Sequence, residues 1–232
     1  MTALLTIETS TPACSVALQL CDRQISRYSE EPRSHTRLIM GMVSEVLEEA
    51  GILVSQLDSI GVSVGPGSFT GLRIGFATVQ GLAFAKDTPV VAVSSLQAMA
   101  ATFLRKHRQL PVGSKIVSVL DARMGEFNCG CYQVGEESTE GIVPDQLLSA
   151  EQALDFIELH QPEVIIGEAE VLLDSQVNWL ARYTAVLPDA LDLLPITGRA
   201  FADGLAQPIE SIELVYLRGT EAWQKRKRLR ES

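Results

Sequence analysis

Strand-like and helix-like spacings alternate along the first hundred residues. Ala3–Glu8 is apolar, Ser15–Leu20 sets Val16, Leu18 and Leu20 on one face, and Gln24–Ser29 is a weaker extended segment. Thr9-Ser10-Thr11-Pro12 reads as the hairpin loop joining the first two. Ser34 then opens a helix with Leu38, Ile39, Met42, Val43, Val46, Leu47 and Ala50 at spacings of three and four, and Gly51 ends it. Ser59–Val64 predicts a strand, Thr70–Ala85 a second helix and Pro89–Val93 another strand. Ser94 or Ser95 caps a third helix that ends in Arg105, Lys106 and His107. Three adjacent strands followed by alternating helices and strands predict one mixed sheet with helices on its faces.

A shorter copy of this order starts near Lys115. Ile116–Leu120 ends in Asp121 as Ile7 precedes Glu8, and a turn at Ala122–Gly125 leads to a strand at Glu126–Val134. A polar Gly/Glu/Ser/Thr stretch follows, then a helix at Ala150–Leu159 and a strand at Glu163–Gly167. The shared strand–acid–hairpin–strand opening points to duplication. The domains expected are 1–108, 109–208 and a C-terminal strand and helix at 209–232 returning to the first. Leu104–Gly113 makes the crossing. Farther on, Val171–Tyr183 and Gly198–Ala206 read as helices, Ile212–Leu217 as a short strand and Gly219–Arg230 as a terminal helix.

Between strand and helix lies Gly65-Pro66-Gly67-Ser68-Phe69-Thr70-Gly71-Leu72-Arg73. Such a turn can present free N–H groups at the positive end of a helix to an anion, with Ser68, Thr70 and Arg73 adding donors. It lacks both the Walker Lys-Ser/Thr pair and the GxGxxG spacing. A tight turn with a helix cap, its glycines there for positive φ or close packing, is the reading preferred over an anion site from the residues alone. Glu8 and Asp121 end equivalent strands. They are either a pair of carboxylates facing across a cleft, able to hold Mg²⁺ or work as acid and base, or structural turn acids, and Thr9 and Ser10 crowd the first turn.

The helix after the glycines is apolar all round, with Leu72, Ile74, Phe76, Val79, Leu82 and Phe84 and small residues between. It is either well buried in its own domain or covered by another chain. The expected partner face comprises Leu38, Met42, Val46, Leu72, Gly75, Phe76, Val79 and Leu82.

Composition narrows the classes. The 232 residues are 46% hydrophobic and 21% charged, which excludes disorder. No apolar run exceeds four residues and no basic leader precedes Glu8, so neither a membrane span nor a signal peptide is expected. Cys14, Cys21, Cys129 and Cys131 have no CxxC spacing and are read as reduced core residues of a cytoplasmic protein. His35, His107 and His160 lie far apart, so no metal site is expected; His35 is read as solvated or at an interface. The net charge is −10. The last eight residues hold five cations and one acid, leaving −14 on the rest.

The segments Leu4–Thr11 and Cys14–Leu18, the run Gly65 to Gly75, Ser94–Ala98, Asp121-Ala122-Arg123-Met124-Gly125-Glu126 and Val215–Arg218 resemble, in order and over essentially the whole chain, the TsaB (YeaZ) family of bacterial tRNA threonylcarbamoyladenosine biosynthesis. The resemblance implies an α/β, two-lobed actin-like ATPase fold with a mixed sheet in each lobe. It also implies a non-catalytic scaffold that pairs with the transferase TsaD and, with TsaE, serves modification of adenosine 37 in tRNAs reading codons that begin with A. Catalytic residues and cofactors are then expected in the partner complex, which holds ATP/ADP and metal, and none in the isolated chain. Self-association as a homodimer where TsaD is absent is left open by the sequence, and tRNA is met through the complex. His35 is followed by Ile39 where the paralogue has His-x-x-x-His, and no DxGGGT loop is present. The alternative is an independent ATP-binding phosphotransferase or ATPase of the same superfamily.

Overall fold

The computed structural model describes residues 2–31, 33–107, 110–136 and 139–218. The first sheet contains β1 (Ala3–Glu8), β2 (Cys14–Leu20), β3 (Arg23–Ser29), β4 (Ser59–Gly65) and β5 (Val90–Ser94), in the order β3-β2-β1-β4-β5. β1, β2 and β3 pair antiparallel, while β4 and β5 continue parallel to β1. The second sheet contains β6 (Lys115–Arg123), β7 (Glu126–Val134), β8 (Thr139–Ser149), β9 (Val164–Gly167) and β10 (Tyr183–Thr184), in the order β10-β9-β6-β7-β8. Counted from its own first strand, each sheet has the same order and the same sense of pairing. The shared opening of the two halves read from the sequence is therefore present, and the duplication extends to all five strands of each sheet.

Alternation along β1 sends successive residues to opposite faces. Leu5 and Ile7 meet Ile39, Val43 and Val46 of α1 (His35–Ala50) and Val79 of α2 (Phe69–Phe84). On the other face Leu4 meets Ala190 and Leu194 of α7 (Ala190–Ala202). Between the sheets runs α3 (Ser95–His107), whose Leu96, Met99 and Phe103 pack on Ile116, Tyr132 and Ile166 of the second sheet. Its Ala98 joins Val91, Val93 and Leu193 of the first lobe. The far face of the second sheet is closed by Ala153, Phe156 and Ile157 of α4 (Ala150–His160). Polar ties reinforce the joint. Ser94 of β5 and Tyr132 of β7 both donate to Asp145 of β8 at 2.5 Å, and Arg105 of α3 grips Asp189, which caps α7, and Asp192 within that helix at 2.7–2.9 Å.

Several expectations need correction. The polar stretch after Val134 holds β8, an edge strand whose exposed positions, Gly141 and Pro144 disguise it. Residues 171–183 form two single-turn helices, α5 (Glu170–Leu173) and α6 (Val177–Leu180), then β10, with no continuous helix. The helix expected at Gly198–Ala206 begins at Ala190, where Asp189 accepts the Leu191 N–H, and Pro195 lies within it. Because α7 packs on the first sheet, the chain is back on that lobe by residue 190 rather than 209. Residues 212–217 form no strand, although Val215 N–H donates to Val64 O at 2.8 Å. The expected helix at Gly219–Arg230 and the basic tail lie outside the described residues. Among the described residues no helix is long and apolar enough to cross a membrane.

Candidate functional site

The glycine-rich turn joins β4 to α2, and Ser68 caps the helix by accepting the Gly71 N–H at 3.3 Å. What faces the turn is the chain itself. Ser68 N–H donates to Ser10 O at 2.6 Å. A Cβ on Gly67 would collide with Ser10 O, one on Gly71 with Thr9 O and one on Gly75 with Thr9 Oγ1. Those three glycines therefore make room for the β1–β2 loop. Gly65 has φ +123° and lies back to back with the Val215 carbonyl, a place for no larger residue. An anion at a helix N-terminus needs free N–H groups and space. Here a protein carbonyl takes the N–H and fills the space, so these residues do not fit a nucleotide phosphate. Ser68, Phe69, Thr70 and Arg73 are exposed, Pro66 is buried, and the Arg73 guanidinium stacks 3.7 Å above the Phe69 ring.

The two acids sit in unlike surroundings. Glu8 is fully buried, and its carboxylate accepts the Ser10 N–H at 2.5 Å and the Ser63 hydroxyl. Burial pushes its pKa up from 4.5, against those hydrogen bonds, which pull it down. With one oxygen held by the hairpin and the other by Ser63 of β4, and the side chain buried, Glu8 does not face a cleft. Asp121 accepts the N–H of Arg123 at 2.7 Å and pairs with its guanidinium at 3.1 Å. Both acids shape the turns that follow them.

The expected partner residues divide by face. Met42, Val46, Leu72, Gly75, Val79 and Leu82 are buried by the chain's own first lobe and are unavailable to a partner, which corrects that assignment. Leu38 and Phe76 are half-buried. The solvent side of the two helices carries Met40, Gly41 and Ser44 on α1, and Ala77, Gly81 and Phe84 on α2. Phe84 is 83% exposed and Met40 52%, and a Cβ on Gly41 or Gly81 would meet nothing within 4 Å. Helical periodicity marks apolar positions without saying which neighbour covers them.

Other candidates find structural roles. His35 is buried, its Nε2 between Thr11 O at 3.0 Å and Ala13 O at 3.1 Å, rather than solvated. His107 stacks on Phe103 at the end of α3. Cys14, Cys129 and Cys131 are buried strand residues, and burial drives their thiols up to about 11, 12 and 11; Cys21 is exposed in the β2–β3 turn, unlike the core role expected. Among the described residues no group of three His, Cys, Asp or Glu could hold a metal ion. A hollow of about 600 Å³ in the second lobe, lined by Glu158, Gln161, Trp179 and Arg182, contains none of the expected site residues.

A family model described as TsaD, tRNA N6-adenosine threonylcarbamoyltransferase, matches residues 29–178. The tRNA threonylcarbamoyladenosine biosynthesis protein TsaB of Escherichia coli K12 is 34% identical, over 96% of this chain and 97% of its own. This chain belongs to the TsaB family. The TsaB of Haemophilus influenzae is 33% identical over 96% of each chain. A solved Pseudomonas aeruginosa structure, described as similar to peptidase YeaZ, superposes with a TM-score of 0.83 at 35% identity, covering 94% of this chain and all of that one. In this TsaB-family chain, the run Gly65–Gly75 is a docking seat for the β1–β2 loop.

Proposed function

We propose that this chain is a non-catalytic scaffold and activator in tRNA threonylcarbamoyladenosine formation, pairing with a TsaD-type transferase and working with TsaE. The observation that carries the reading is the β1–β2 loop seated on the glycine-rich turn, which fills the space that a phosphate at this helix N-terminus would need. The family membership points to the pathway, and the TsaD-type match over residues 29–178 is what a paralogous, symmetric pairing predicts. In this reading ATP/ADP and metal belong to the partner complex, and tRNA is met through that complex. The chain is a cytoplasmic protein.

Docking uses the exposed side of α1 and α2. Phe84 and Met40 supply apolar anchors, and Gly41 and Gly81 allow close helix approach. The same face serves a homodimer when TsaD is absent. The decisive experiment is tRNA modification in vitro with the other components held fixed. Product is expected with this chain present, none when it is omitted and none from it alone; undiminished product on omission overturns the proposal. A Phe84→Glu variant is expected to stay folded and lose co-elution with TsaD. Val79→Glu, which forces a charge into the first-lobe core, is expected to cost about 4 kcal/mol or more and to unfold the chain instead.

A further inference from the structure

The segment after α7 crosses from one lobe to the other in a few residues. Ile209 and Ile212 are buried in the first-lobe core, with Leu214 packed against it. Val215 N–H donates to Val64 O at the carboxyl end of β4, and the Val215 carbonyl lies against Gly65. The next residue touches α2: the Tyr216 ring is 5.3 Å from that of Phe69, and its hydroxyl accepts from Arg73 Nε at 3.3 Å. Two residues later the chain grips the second lobe. The Arg218 guanidinium donates to Ala122 O at 3.1 Å, to Arg123 O at 3.0 Å and to the Glu126 carboxylate.

The turn that Arg218 holds is conformationally costly. Arg123, Met124 and Gly125 have φ of +67°, +60° and +77°, so two residues with side chains occupy the left-handed region in succession. Such a conformation persists only where its surroundings over-determine it. Arg218 meets that need by binding two of the carbonyls the turn presents, together with the carboxylate at the start of β7. The three oxygens share the two protons of Nη2 while Nη1 reaches the Met124 sulfur at 3.1 Å, so the guanidinium grips the turn with two nitrogens, which one ammonium does not reproduce. Both ends of the crossing lie at the carboxyl ends of sheet strands, β4 and β6, the side on which open α/β sheets take their ligands.

We propose that residues 212–218 are an intramolecular strap that fixes the angle between the lobes and holds the β6–β7 turn in its left-handed form, with Arg218 as the clasp. The proposal is independent of the pairing proposed above, since both contacts of the strap are within this chain.

The test uses the full chain, with one spin label on the exposed native Cys21 of the first lobe and one on an introduced Glu151→Cys in the exposed first turn of α4. In the unmutated background one narrow distance is expected. With Arg218→Ala the distance distribution is expected to broaden. Amides 122–126 should exchange about tenfold faster or more, while β1 and β2 keep their protection. Arg218→Lys should restore protection only in part. Glu126→Gln, which leaves the two carbonyl contacts, provides a milder variant should Arg218→Ala fold poorly by circular dichroism, and is expected to move both readouts the same way by less. An unchanged distance distribution in the Arg218 variant overturns the strap, even if the turn exchanges faster. Unchanged exchange at 122–126 overturns the clasp.

Discussion

The two lobes repeat one strand order, yet the turns that follow their first strands are built on opposite principles. After β1 the chain turns inward. Glu8 is sealed from solvent, the carbonyls of Ser10 and Thr9 press against Gly67 and Gly71 of the next βα unit, and the Thr9 hydroxyl presses against Gly75. After β6 the chain turns outward, with Met124 86% exposed, Asp121 tied to the residue two places on, and support arriving from Arg218. Equivalent topology thus places an acid at equivalent positions without giving the acids equivalent chemistry. The first turn has become core and the second a surface loop gripped from outside. In the seat that receives the inward turn, glycine is required by space; in the outward turn, by backbone dihedral.

Substituting one glycine that seats the inward turn and one within the outward turn separates the two principles most strongly. In Gly71→Ala the new methyl collides with the Thr9 carbonyl, and α2 cannot shift without disturbing the core around Val79 and Leu72. A loss of about 3 kcal/mol is expected, lowering Tm by about 10 °C. Gly125→Ala meets nothing within 4 Å and costs only the left-handed backbone, about 1–2 kcal/mol. Thermal unfolding of both variants checks the pair. Equal losses would show that the inward turn is less tightly seated than its distances indicate.

Much of this architecture was legible in the sequence, and the parts that were not have physical reasons. Most of strands β1 to β7 and helices α1 to α4 carry clear periodicity, punctuated at Gly51 and Pro89, and the weaker β3 follows β2 closely, so local rules suffice. β8 escapes because an exposed edge strand has no need of an apolar alternation. α7 escapes in its first half because Pro195 argues against a helix that its two packed faces nonetheless stabilise. At the site, the glycine run was visible and so was the crowding by Thr9 and Ser10. Which residues fill the turn is a question of tertiary approach that spacing does not answer. For the same reason Val79 and Phe84 read alike along the helix, although one is core and the other surface. The strap left only a weak extended signal, since its partners lie more than ninety residues away.

Removing the acids is the next, smaller contrast. Glu8→Ala leaves the Ser10 N–H and the Ser63 hydroxyl without their acceptor in a dry site, an expected loss of about 2 kcal/mol. Glu8→Gln keeps an acceptor for Ser10 and a polar partner for Ser63 while removing the ionisation. Burial raises the Glu8 pKa above its value in the unfolded chain, so the folded state favours the protonated carboxyl. That contribution is fully present below 4.5, the ordinary value, and is lost as pH rises through the higher folded value. The unmutated protein should therefore lose stability relative to Glu8→Gln between pH 4 and the neutral range. Parallel stability curves for the two proteins across that range would show that Glu8 titrates as if exposed.

The smallest effect belongs to Asp121. Its carboxylate is paired with an Arg123 side chain that is 82% exposed, where solvent screens most of the attraction. In Asp121→Asn the remaining amide oxygen can still accept the Arg123 N–H that shapes the turn. The expected change is about 0.5 kcal/mol or less, near 1–2 °C in Tm. A loss matching that of Glu8→Ala would mean that the outward turn depends on its acid as the inward one does, and that Arg218 alone does not support it.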